Sequence, residues 1–142
     1  MVSEYSLRYL GAVEDVSLNT GQAIPGRSLE AQLVDKLEDA QLEGKLPYLA
    51  PEDYQTVYVI VSKHGIKVMD SKKKQVMQRH PLHVIAQAIQ YSDGLGRFNL
   101  VLKTVQPGKK TFGCYVFQTS TEEQAIGVVK TLQQMYSQFT QR

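Results

Sequence analysis

Between Val57 and Phe117 the chain repeats one short pattern: a run rich in β-branched and aromatic residues, closed by glycine, proline or charged turn residues, with no helical period between runs. Regular short strands of this kind favour an antiparallel sandwich or an open barrel. Val57-Tyr58-Val59-Ile60-Val61 and Ile66-Lys67-Val68 flank Lys63-His64-Gly65. They read as a hairpin whose glycine supplies the positive φ of a tight turn. Residues 70–74 turn the chain again, and residues 75–79 read as a short strand. Residues 82–91 then form the longest apolar stretch, Leu82-His83-Val84-Ile85-Ala86-Gln87-Ala88-Ile89-Gln90-Tyr91. Two further strands, residues 98–104 and 111–117, close around the Pro107-Gly108-Lys109-Lys110 turn.

Ahead of this block, Tyr5, Leu7 and Tyr9 alternate with Ser6 and Arg8, the period of a strand buried on one face. Gly11 marks a bulge or a close approach in it. Residues 19–26 are turn chemistry. The period then changes, and Leu29, Leu33, Leu37 and Leu42 place an apolar stripe on a helix over about residues 29–43, capped by Ser28 and ended by Gly44. Residues 45–51 are a proline-punctuated connection. At the other end, Ser120-Thr121-Glu122-Glu123 reads as a capping box. Ala125, Ile126, Val129, Leu132, Tyr136 and Phe139 follow at helical spacing, and Val128 and Met135 widen the stripe beyond what docking on one sheet edge needs. The spacing predicts a helix over residues 121–139.

With 142 residues, 42% apolar and 21% charged, the sequence has the size and composition of a single folded domain spanning residues 1–142. A net charge of +2 is too mild for nucleic-acid recognition, which needs a basic face. The lone cysteine, Cys114, has no internal disulfide partner and reads as a buried thiol in a reducing compartment, hence a cytoplasmic location. No apolar run reaches the length of about 20 residues that a membrane helix needs. The start lacks the pattern of a signal peptide and reads as the first strand of a domain, as though a longer natural N-terminus preceded it.

Neither catalysis nor metal binding can be assembled from these residues. His80 and His83 bracket Pro81, but no Cys pair or His-Glu-x-x-His pattern supplies further ligands, and His64 sits in a turn. No nucleophile, base and oxyanion set is present. The expectation is a binding module without metal or cofactor. The Asp93-Gly94-Leu95-Gly96-Arg97 run follows a strand without opening a helix, so it reads as a β-turn and not as a phosphate loop. Lys72, Lys73 and Lys74, with Arg79, form the one local basic cluster suited to a phosphoinositide headgroup, although short basic runs are common on solvated turns.

The order of strand, helix, six strands and capped helix resembles the phosphotyrosine-binding (PTB) domain family, a pleckstrin-like α+β fold. In it a seven-stranded antiparallel β-sandwich carries an inserted helix after the first strand and a capping C-terminal helix. The residues that carry the resemblance are Tyr9-Leu10-Gly11 on the first strand, residues 62–68 at the hairpin, His80-Pro81-Leu82 entering the fifth strand, Tyr115-Val116-Phe117 on the last, and Leu132 with Tyr136 on the helix. The Gly44-Lys45-Leu46-Pro47-Tyr48, Asp93-Gly94-Leu95-Gly96 and Leu102-Lys103-Thr104 stretches look most like the integrin-binding members of that family.

The resemblance implies an adaptor that binds Asn-Pro-x-Tyr or Asn-Pro-x-Phe motifs of integrin β tails, or of scaffold proteins, as a strand added to the fifth strand. Pattern alone favours a core strand paired on both sides; the resemblance makes it an edge. Leu82, Val84, Ile85, Ala86, Gln87, Ala88 and Ile89 would form that edge, and Val129, Leu132, Met135, Tyr136 and Phe139 the opposite wall. Ala86 stands where the integrin-binding relatives are expected to carry a bulkier aliphatic. Residues 82–96 contain no Arg or Lys, so the pocket is expected to ignore phosphorylation, with Arg79 and Arg97 flanking it. The alternative is a pleckstrin-like module that targets anionic phosphoinositide membranes through Lys72, Lys73, Lys74 and Arg79, placing the protein peripherally at the plasma membrane.

Overall fold

The computed structural model describes residues 3–16, 29–46, 56–72, 75–92, 98–106, 108, 110–119 and 121–140, with the side chains of residues 15, 29, 30, 136 and 138–140 outside this description. Strand β1 (Ser3–Val16) is followed by helix α1 (Leu29–Leu42), then β2 (Thr56–Ser62), β3 (Gly65–Met69) and β4 (Val76–Pro81). A 3-10 turn (Leu82–Val84) leads into β5 (Ile85–Ser92), β6 (Phe98–Val105), β7 (Phe112–Thr119) and helix α2 (Glu122–Thr140). All neighbouring strands are antiparallel, in the order β4-β3-β2-β1-β7-β6-β5. The expected PTB-like α+β architecture is therefore present.

One long strand joins the two halves. Residues 3–8 of β1 pair with β2, and from Arg8 onward β1 pairs with β7. The register slips between Tyr9 and Gly11, so the expected bulge is real, and Gly11 packs against Leu46. Around this bend the β2–β3 residues Val59, Val61, Ile66 and Val68 meet Leu100, Leu102 and Phe117 of β6 and β7 in one core, which α2 closes with Val128, Leu132 and Met135. Side chains of β6 and β7 that point the other way, Val101, Cys114 and Val116, pack with Leu33, Leu37 and Ala40 of α1 in a second core. β6 is thus buried on both faces from Asn99 to Thr104.

The helix ends follow local chemistry. At the end of α1 the Gly44 N–H bonds Gln41 O (3.1 Å) and the Lys45 N–H bonds Ala40 O (2.8 Å), a Schellman closure that drops Leu46 into the second core. At the start of α2 the cap is Thr121, whose hydroxyl accepts from the Gln124 N–H (3.2 Å). The Gln124 side-chain amide donates to Ser6 O (2.8 Å) and ties the helix to β1. The residue 19–26 turns, the Ser28 cap and the residue 47–51 connection lie outside the described residues.

Two expectations require correction. Leu82 and Val84 do not belong to the fifth strand; they form the 3-10 turn, and Leu82, 7% exposed, is part of the first core. The Leu82 N–H instead bonds His64 O (3.1 Å) at the β2–β3 hairpin, which holds the chain off the sheet edge until Ile85. The preceding strand accordingly runs to Pro81, not to Arg79.

Two outcomes follow from this packing. Gly65 has φ +123°, and a Cβ there would collide with the His80 carbonyl oxygen and the Leu82 amide nitrogen. Gly65→Ala should therefore lower the unfolding free energy by on the order of 3 kcal/mol in chemical denaturation, the strain of a positive φ plus a displaced backbone. His80 is 7% exposed, its ring 4.4 Å from that of Tyr115 and its Nε2 bonded to Gln78 Oε1 (2.9 Å). Burial holds its pKa below the ordinary 6.5, so the native state binds fewer protons than the unfolded chain as the pH falls through that value. The melting temperature should drop between neutral pH and about pH 5, and His80→Gln should flatten that part of the profile.

Candidate functional site

Among the described residues β5 is the last strand of its side of the sheet: it pairs with β6, and no described strand pairs with its other backbone edge. Such an edge presents a row of main-chain donors and acceptors. Its side chains are distributed by a second irregularity. Ile85 pairs with Thr104, yet Gln87 pairs with Lys103, so Ala86 is an extra residue in β5. Ile85 consequently points into the core under α2, whereas Ile89 and Tyr91, which strict alternation would put on the same face as Ile85, point into the core under α1. Ala88, opposite Leu102, returns to the α2 side.

Small residues at 86 and 88 leave room between the strand and the helix. There the fold forms a groove of about 440 Å³, with residues 86–90 of β5 on one side and Val129, Leu132 and Gln133 of α2 on the other. Among the described residues no charged side chain lines it; its polar groups are the amides of Gln87, Gln90 and Gln133 and the strand backbone. α2 is held at this distance from the far side. The Tyr5 hydroxyl bonds Thr131 Oγ1 (2.9 Å), Thr131 in turn donates to Gly127 O (2.8 Å), and the missing side chain of Gly127 lets the Tyr5 ring lie against the helix.

Of the site residues expected from sequence, the groove brings together Ala86, Gln87, Ala88, Ile89, Val129 and Leu132. Ile85 (4% exposed) and Met135 (3% exposed) are core residues and do not line it, and Leu82 and Val84 precede the strand. The side chains of Tyr136 and Phe139 lie outside the described residues, as does Arg97. Gln90 and Gln133 were missed, although the signal was there: each repeats the period of a recognised neighbour, two residues after Ala88 on a strand and four after Val129 on a helix. Of the basic cluster, Lys72 and Arg79 are exposed, while Lys73 and Lys74 lie outside the described residues. Arg79 stands on β4 and not in the turn.

Two further chemistry-bearing groups, Cys114 and Lys103, are buried. Cys114 is fully buried, as its setting suggested, and burial pushes its thiol pKa up to about 11, far from a reactive thiolate. Lys103, on the strand opposite it, places its ammonium 4.3 Å from the Phe112 ring centre. Among the described residues no group of three or more His, Cys, Asp or Glu side chains could hold a metal ion, and no helix is long and apolar enough to cross a membrane.

Comparison with known proteins agrees with this architecture. The bovine (Bos taurus) integrin beta-1-binding protein 1 is 34% identical to the chain over 132 residues, and the mouse (Mus musculus) protein of the same name is 33% identical over 132 residues. In both cases the match covers 92% of this chain and 64% of the relative, so the chain spans somewhat less than two thirds of the length of these relatives. The family described as Beta-1 integrin binding protein matches residues 1–140. A match of that extent, on a chain with this fold, places it: the chain belongs to the beta-1 integrin binding protein family.

Proposed function

We propose that residues 1–142 act as one non-catalytic adaptor domain that binds Asn-Pro-x-Tyr or Asn-Pro-x-Phe segments of integrin β tails, or of scaffold proteins carrying the same motif. The observation that carries this reading is the open β5 edge beside an uncharged groove. An extended peptide added there gains main-chain hydrogen bonds from β5 and seats alternate side chains between Ala86 and Ala88 on one side and Val129 and Leu132 on the other. The names of the related proteins, which denote binding to integrin beta-1, point to the same class of partner. Integrin tails emerge on the cytoplasmic side of the plasma membrane, which is where such an adaptor would work.

Because no described groove residue is cationic, a phosphate on the peptide tyrosine finds no charge partner within the groove. Binding should therefore be indifferent to phosphorylation and only weakly sensitive to salt. The second reading, attraction to phosphoinositide membranes through Lys72, Lys73, Lys74 and Arg79, rests on the exposure of Lys72 and Arg79 alone.

Calorimetric titration with an integrin β tail peptide, its phosphotyrosine form and an Asn-Pro to Ala-Ala control tests the proposal. The first two should bind alike at roughly micromolar Kd, about 8 kcal/mol, and the control should not bind. Ala86→Arg fills the groove from an exposed position and should weaken binding by about a hundredfold without a change in melting temperature. Ile85→Asp should unfold the protein, as expected of a charge placed in its core. Full affinity in a folded Ala86→Arg variant would remove the groove assignment.

A further inference from the structure

A second concave site lies at the opposite end of the strand order, on the outer face of β2, β3 and β4. Strand register sets Glu4, Ile60, Lys67 and Arg79 side by side across β1 to β4. On this face, turned away from the core residues Val59, Val61 and Val68, the hairpin and β4 enclose a hollow of about 480 Å³. Lys67 and Arg79 line it from adjacent strands, with Ser62 and His64 at the hairpin end and Ile60 and Pro81 as apolar walls. Among the described residues no carboxylate lines it; Glu4 is separated from Lys67 by the whole of β2.

Two cations on directly opposed positions of neighbouring strands, about 5 Å apart, repel each other and cost stability unless an anion lies between them. Among the described residues neither Lys67 nor Arg79 has an ion-pair partner. The arrangement does nothing for the fold that two neutral side chains would not do, and it concentrates positive potential in a recess.

We propose that this hollow is a second docking site, separate from the β5–α2 groove, for an acidic peptide segment that lies over the outer face of β3 and β4 with a carboxylate between Lys67 and Arg79 and an apolar side chain against Ile60 and Pro81. A peptide fits better than a lipid surface. Membrane-binding basic clusters gather about four to eight exposed cations, whereas the lining here has two and is partly apolar.

The experiment is fluorescence anisotropy of the full chain with a short labelled peptide of alternating Glu and Leu, beside the same peptide with Gln for Glu. The paired Lys67→Gln and Arg79→Gln substitutions, both on the surface, and Ala86→Arg provide the controls, with amide shifts in NMR spectra locating the site. The acidic peptide should bind, shift the amides of Ser62, His64, Lys67 and Arg79, weaken with added salt, and lose about tenfold in affinity in the folded double variant. Ala86→Arg should leave it unchanged, which separates this site from the groove. Equal binding of the Gln peptide, an unaffected double variant, or shifts confined to β5 and α2 would overturn the proposal. So would capture of the protein by anionic vesicles through Lys67 and Arg79 without binding of the peptide.

Discussion

The apolar face of α2 lies across the mouth of a bent sheet, and most of the molecule depends on that seat. Val128, Leu132 and Met135 fill the space where β2 and β3 face β6 and β7, so removing the helix would open the first core to water. Burial of this kind is worth about 1.5–3 kcal/mol for each large aliphatic side chain. A helix satisfies its own backbone hydrogen bonds, so it covers the core beside β5 without consuming the donors and acceptors of the strand. Core closure and an open sheet edge are therefore obtained from one element. The polar ties from Tyr5 to Thr131 and from Gln124 to Ser6 keep the helix on β1, and thereby set the width of the gap on its β5 side.

The extra residue at Ala86 resolves a conflict within β5. The strand must contribute to two cores on opposite faces, and regular alternation would send Ile85, Ile89 and Tyr91 to the same one. Insertion of a small residue after Ile85 changes the face, so Ile85 serves the α2 core and Ile89 the α1 core. The same residue, exposed and short, widens the groove at the point where the strand leaves the 3-10 turn. The absence of a bulky aliphatic at this position, noticeable in the sequence alone, thus coincides with a backbone feature.

Legibility in the sequence followed the range of the interactions involved. Both helices, the hairpin at Gly65, the end of α1 at Gly44 and the bulge at Gly11 depend on neighbours within a turn or two, and their positions were readable to within a residue or so. The limits of the fifth strand were not. Leu82, Val84 and Ile85 look like strand residues by composition, but a hydrogen bond from Leu82 to the distant His64 turns the first two aside. For the site, the strand and the helix were identified, whereas Ile85 and Met135 could not be told from lining residues because apolar character is common to core and groove alike.

The sequence by itself determined the elements, seven strands and two helices among the described residues, since periodicity, caps and turn glycines act locally; the family was read from the resemblance of their order and motifs. Only the tertiary structure decided which strand became an edge, which face each β5 side chain took, and that Lys67 and Arg79 meet on adjacent strands. Those outcomes come from strand order and register, which are contacts between residues far apart in the chain. No local pattern encodes a pairing with a partner tens of residues away, and a shift of one residue in register exchanges the faces of a whole strand.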